Sequence, residues 1–362
     1  MDAMSGAEVW RFEYPTDYSD MYGYNGGPRC SPLIDNERVY LYGAEGSLHG
    51  LQVSDGKLLW QVNVQEKFGV KQNFFGVGSN PVVDGPRLIV MVGGSPPESQ
   101  QVPPGNLDEV VGNGSGIVAF DKLTGKVLYS ITDELAGYAS LKLATIRGRR
   151  WCFALARGGL VGFDPATGQV DFQYPWRAKL LESVNASTPV VAGDEVFISE
   201  TYGPGSSLLK VRPGGYDVVW RDELRSREKA MQTHWNTPIY HDGYLYGCSG
   251  RHTYNADLRC IEWKTGKVMW TADRTTRTSL LYADGHFLSL GEFGQLIVFK
   301  ANPTKFEPVA TLEEGALRAK TGESLLNYPC WAAPILSGGL LYLRGNDRLV
   351  CLDLRAGSYR EK

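Results

Sequence analysis

Apolar and polar residues alternate over short stretches throughout the chain, and no 3.6-residue period is sustained, so the pattern predicts strands with few helices. One unit recurs. Its clearest copies are residues 116–129, GIVAFDKLTGKVLY, and 159–172, GLVGFDPATGQVDF: two alternating strands about a Thr-Gly turn, with an aromatic closing the second. Related copies close at Trp60 after Asp55-Gly56-Lys57, at Trp270 after Thr265-Gly266-Lys267, and more loosely at Trp220 after Gly214-Gly215-Tyr216.

A second hairpin precedes each such pair, usually opened by a small residue and proline: Ser31-Pro32, Asn80-Pro81, Thr188-Pro189, Thr237-Pro238 and Ala333-Pro334. Its turn is Asp35-Asn36, Asp84-Gly85, Arg147-Gly148, Gly193-Asp194, Asp242-Gly243, Asp284-Gly285 or Gly338-Gly339, mostly pairs that tolerate the positive φ of tight hairpins. These seven copies, with six intervals over the 302 residues from Pro32 to Pro334, average about 50 residues each, the length of a four-stranded propeller blade. The fold class that follows is an all-β propeller of seven antiparallel blades, a single domain over residues 1–362. The blades begin near Ser31, Asn80, Ser140, Ser187, Asn236, Ser279 and Ala333, with surface insertions at 93–116 and 313–326. The last copy, ending at Leu349-Val350-Cys351-Leu352-Asp353-Leu354, lacks the Thr-Gly turn and the closing aromatic. Residues 1–10 align without a gap on 120–129, so the expected closure has the N-terminal segment complete the last blade. The alternative is an eight-bladed propeller whose first blade is truncated.

Composition narrows the picture little further. Glycine is 43 of 362 residues, about 12% against the usual 7%, as a turn-rich strand protein requires. Lys and Arg total 37 against 40 Asp and Glu, a net charge of −3 that speaks against a generally basic nucleic-acid binder. No apolar run is long enough to span a bilayer, and the first residues show no secretory leader pattern. Six cysteines show no CxxC and no adjacent pair. Cys248 and Cys260 fall on neighbouring predicted strands, where they either pack or form a cross-strand disulfide.

The Phe-Asp-x-x-Thr-Gly-x-x-x-aromatic run at 120–129 and 163–172, with Trp closing other copies, resembles the tryptophan-docking repeat of quinoprotein-type propellers. That group holds pyrroloquinoline quinone (PQQ) dehydrogenases, the outer-membrane assembly lipoprotein BamB and exported bacterial proteins. The resemblance spans the whole chain and implies an extracytoplasmic location, in the periplasm or cell envelope. It leaves activity open, because the group includes enzymes and scaffolds alike. Trp10, Trp60, Trp220 and Trp270 are read as blade-packing residues without chemistry.

Chemistry in a propeller belongs to the segments entering each first strand and to the loops between second and third strands, around the channel mouth. Those segments supply Tyr24, Arg29, Asn73, Tyr138, Asn185, Glu200, His234, Trp235, Asn236, Arg251, Tyr328 and Trp331 as candidate ligand-binding residues. The competing reading is that each merely satisfies backbone and water. His234, between Thr233 and Trp235, is the candidate general base, because imidazole titrates near neutrality. His49, His241 and His286 fall on or beside strands and are read as structural. No metal set is expected: Cys248, His252 and Cys260 lack a fourth ligand, and Asp108 with Glu109 lack the carboxylate spacing of a calcium loop. HExxH, GxSxG and GxxxxGK[ST] are absent.

The favoured function is a non-catalytic binding scaffold, similar to BamB, gripping a partner protein, a peptide or a small polar ligand such as a carbohydrate with its loop face. A monomer is expected, with no nucleic acid partner, no transmembrane segment and no cofactor. The other readings are a PQQ-dependent alcohol or sugar dehydrogenase using PQQ with calcium, which should carry adjacent cysteines and an acidic base that are not found, and a carbohydrate-processing propeller.

Overall fold

The computed structural model describes residues 1–355 other than 21, 25, 72, 73 and 182. The chain is an all-β, seven-bladed propeller. Its first blade is typical, with Leu33–Asp35, Arg38–Tyr42, Ser47–Gln52 and Leu58–Asn63 pairing antiparallel in chain order. The other sheets start at Val82, Lys142, Val190, Ile239, Thr278 and Ile335, each within three residues of the expected start. Six sheets have four strands, and the seventh, Ile335–Ser337, Leu340–Arg344 and Leu349–Asp353, has three.

The turn chemistry behaves as the residue types require. Arg147 and Gly148 have φ of 50° and 79°, Asp242 and Gly243 46° and 85°, Asp284 and Gly285 47° and 72°. Both central residues being left-handed makes the turn twist with the strands it joins. The outer pair is joined differently. Asp121 Oδ1 accepts from Leu123 N, Thr124 N and Thr124 Oγ1, and Gly125 takes φ 70°. Beside this turn the register slips by one residue, and the same bulge recurs in the first, third, fifth and sixth blades.

The closing aromatic of one blade then reaches the outer turn of the next. Trp60 Nε1 donates to Lys122 O (3.1 Å), Tyr129 OH to Pro165 O (2.8 Å), Trp220 Nε1 to Trp263 O (2.8 Å) and Trp270 Nε1 to Asn302 O (2.8 Å). Trp10 does the same to Val53 O at 2.7 Å. The segment before it rebuilds the repeat's turn: Asp2 Oδ1 accepts from Met4 N, Ser5 N and Ser5 Oγ, and Gly6 has φ 71°. Residues 1–10 therefore adopt the local structure that their alignment implies, although no strand is assigned among the described residues of 1–32.

Both faces of an inner strand are buried. In the second blade Leu88 and Val90 pack towards Tyr40, Tyr42 and Leu48 of the first, while Ile89 and Met91 pack towards Cys152, Ala154 and Val161 of the third. This period of two with apolar residues on each face is what a sheet sandwiched between sheets demands. The insertion at 93–116 carries 3-10 turns at Pro97–Gln101 and Pro104–Glu109 and buries Leu107 and Val110 against Phe74. Cys248 lies opposite Leu258, and Cys260 opposite Tyr246, so the register does not pair them, and both are free thiols.

The chain divides into two compact units, residues 1–189 with 211–216, and residues 190–210 with 217–362. No helix among the described residues is long and apolar enough to cross a membrane.

Candidate functional site

In the unit that holds residues 217–355, the loops gather a cluster of aromatic rings and arginines. Trp235 precedes the fifth blade, and its ring lies 4.8 Å from His234 and 5.5 Å from Trp331, which precedes the seventh. Tyr328 meets Trp331 edge-on at 5.8 Å and stacks on Phe293 at 5.0 Å. Arg277 sits over Trp235 at 4.5 Å, and Arg251 over Tyr202 at 4.2 Å, so each guanidinium faces the negative side of a ring.

A buried carboxylate holds this cluster. Glu292 is fully buried and pairs with Arg277 through Nε and Nη2; Thr253 Oγ1 (3.0 Å) and Trp331 Nε1 (3.3 Å) also donate to it. Burial pushes its pKa up, but Arg277 and these donors outweigh that and hold it below the usual value. His234 Nε2 meets Tyr202 OH at 3.2 Å. Burial, with the charges of Arg277, Arg251 and His252, pushes its imidazole down to about 3. A ring that resists protonation this strongly is a neutral hydrogen-bonding group and a poor general base near neutral pH.

The candidates do not all join the cluster. His234, Trp235, Arg251, Tyr328 and Trp331 come together. Glu200 is buried and accepts from Tyr202 N at 3.0 Å, under the cluster's edge. Asn236 is buried and donates to Thr278 O, tying the fifth blade to the sixth.

In the other unit, Arg29 pairs with buried Asp20 and donates through Nε to Phe75 O (2.6 Å). Phe75 N donates to Tyr138 OH at 3.0 Å, and Tyr24 and Tyr22 are half-exposed beside Phe75. Asn185 is buried with φ 44°, and its Nδ2 donates to Ala156 O (2.7 Å) and Trp176 O (2.9 Å), the bonding of a loop clamp. Asn73 lies outside the described residues.

Arg277, Thr253 and Phe293 are cluster members that the sequence reading did not select. Arg277 stands directly before the sixth blade's first strand, Thr278–Ala283, where the rule of entering segments points. Among the described residues no group of three or more His, Cys, Asp or Glu is placed to hold a metal ion.

Sheets of four antiparallel strands, bulged outer pairs and docked tryptophans define a quinoprotein-like propeller. The family described as outer membrane protein assembly factor BamB matches residues 1–272, and the chain belongs to it. A curated relative, outer membrane protein assembly factor BamB of Moranella endobia (strain PCIT), is 20% identical over 273 residues, covering 72% of this chain. The chain spans 62% of that relative's length. Among solved structures, BamB from Moraxella catarrhalis superposes with a TM-score of 0.62 at 12% identity, over 98% of this chain and 88% of that one. Quinohemoprotein alcohol dehydrogenase from Comamonas testosteroni reaches 0.53 at 12% identity, over 86% of this chain and 62% of that one. At such identities these two likenesses show the fold alone.

Proposed function

We propose that the chain is a non-catalytic scaffold that works outside the cytoplasm, as a monomer, and grips an extended segment of a partner protein with the loops at 233–236, 251–254, 277 and 327–331. The observation that carries this reading is the aromatic and arginine cluster itself. Trp235 and Tyr328 belong to none of the sheet cores given by the described residues, and Tyr254 and Tyr328 stand 81% and 44% exposed. Trp, Tyr and Arg are the side chains that dominate protein interfaces, because they present large rigid area with a polar handle. The Arg277–Glu292 pair holds Trp235 and Trp331 in place before any partner arrives, which reduces the entropy lost on binding. Family membership supports the same reading, and the depressed His234 argues against acid–base chemistry at this face.

The test is selection of peptides on the intact chain by display, followed by titration of the best binder. Tyr328→Ala should weaken it by about tenfold or more with an unchanged melting temperature, the loss expected for an interface anchor. A binder indifferent to both Tyr328→Ala and Trp235→Ala would remove the proposal. Parallel arms carry the alternatives: a raised melting temperature with PQQ and calcium and dye reduction with alcohols would support an enzyme, and binding confined to oligosaccharides would support a sugar site.

A further inference from the structure

Arg277 and Arg251 of the loop cluster differ in what they meet. Arg277 donates to buried Glu292 and to Arg251 O (3.4 Å), so its charge is answered inside the fold. Arg251 is partly buried in the loop between the fifth blade's second and third strands, with its guanidinium over the Tyr202 ring at 4.2 Å. Among the described residues no carboxylate, carbonyl or hydroxyl accepts a hydrogen bond from that guanidinium.

The ring takes the face of the guanidinium, while its N–H groups point outward in the plane, so the fork that pairs with a carboxylate through two parallel bonds stays open. Tyr202 is itself held in place, by its OH against His234 Nε2 (3.2 Å) and its N–H on Glu200 (3.0 Å). The carboxylates nearby are engaged elsewhere: Glu292 by Arg277, Thr253 and Trp331, Glu200 by the Tyr202 N–H. The charges that depress His234 are those of Arg277, Arg251 and His252, all cationic.

Exposed rings lie alongside. His252 and Tyr254 stack at 5.2 Å with their planes 4° apart, and a flat exposed ring accepts another ring. A basic segment would meet Arg251 with like charge, and a wholly apolar one would cover the guanidinium unpaired, so both are disfavoured.

We infer that Arg251 selects the partner: the segment gripped by this face carries an aspartate or glutamate beside an aromatic residue, with the carboxylate on the Arg251 fork and the ring against Tyr254. The inference rests on the extended-segment reading above, which makes the carboxylate a side chain within a continuing chain and not a chain end.

Selection of short random peptides on the intact chain, followed by titration of the best binder with its C-terminus amidated, tests it. Bound peptides should be enriched in an acidic residue next to an aromatic one. Changing that acidic residue to its amide should weaken binding about tenfold, Arg251→Gln should do the same, and the two together should lose no more than either alone. Arg251→Lys should keep only part of the affinity, because an ammonium supplies the charge without the planar fork. Should Arg251→Gln fail to fold, the acid and amide peptides compared on the unmodified chain still decide, and added salt should weaken the acid peptide more than the amide. Binders that need Tyr328 yet contain no acidic residue, or that are indifferent to Arg251→Gln, overturn this inference and leave the scaffold reading standing. Affinity lost on amidating the C-terminus places the carboxylate at a chain end and overturns it too. A chain that captures no peptide overturns both.

Discussion

Replacing Arg277 by methionine isolates the ion pair that positions the loop cluster. The change keeps an apolar stem but leaves Glu292, 0% exposed, with Thr253 Oγ1, Trp331 Nε1 and the backbone N–H of residue 277 as its donors among the described residues. Stranding one member of a buried pair costs about 3–5 kcal/mol, and the guanidinium lost from over Trp235 adds about 1 kcal/mol at most. The expected loss is therefore about 3–6 kcal/mol in the first unfolding transition, read by urea denaturation and tryptophan fluorescence. Adding Glu292→Leu removes the stranded carboxylate, so the double variant should recover about 2 kcal/mol, within the usual coupling of contacting residues. The pH dependence should also change sign. With the folded pKa of Glu292 held below its unfolded value, the pair stabilises above pH of about 4.3 and this is lost as pH falls through the folded pKa. In Arg277→Met, burial acts with little opposition and raises that pKa above the unfolded value, so the variant should gain stability as pH falls through the raised folded pKa towards about 4.3, a window above the wild type's. A loss under about 1 kcal/mol, or a double variant costing the sum of its single changes, would refute the reasoning.

Three further outcomes are expected. Gly125→Ala should destabilise by more than about 1 kcal/mol, because φ is +70° and the new Cβ would lie 2.7 Å from the Trp60 ring, whereas Gly148→Ala, with φ +79° and open space, should lose only the backbone part; denaturant melts of the two compare them. His234 should not titrate between pH 5 and 8 by proton NMR; since its folded pKa is about 3 against an ordinary 6.5, the unfolded chain takes up the proton first and stability should fall as pH drops below about 6.5, a slope that His234→Gln removes. In the folded chain a thiol reagent should modify exposed Cys351 well ahead of Cys30, Cys248, Cys260 and Cys330, whose burial pushes their thiols up to about 11 or 12.

Blade starts were legible in the sequence because each rests on local chemistry. A pair such as Asp242-Gly243 that accepts left-handed φ, or an Asp that caps its own Thr-Gly turn, acts within a few residues. Residues 1–10 show the same: Asp2, Ser5 and Gly6 rebuild the turn that Asp121, Thr124 and Gly125 make. The site was harder to read, because its logic depends on which distant loops meet. Asn185 and Asn236 look like binding amides in sequence, yet each is taken up by backbone carbonyls that only the folded chain brings within reach. Arg277 lay in a run, Arg-Thr-Thr-Arg, with no aromatic to mark it, and its importance comes from Glu292, 15 residues away. The disulfide alternative for Cys248 and Cys260 failed for a similar reason: membership of adjacent strands says nothing about register, and here it is offset.

Hydrogen exchange of the intact chain with and without the displayed peptide probes the scaffold reading most directly. Slowed exchange is expected at 233–236, 251–254 and 327–331, with the sheet cores unchanged. Slowed exchange confined to residues outside those loops would contradict it.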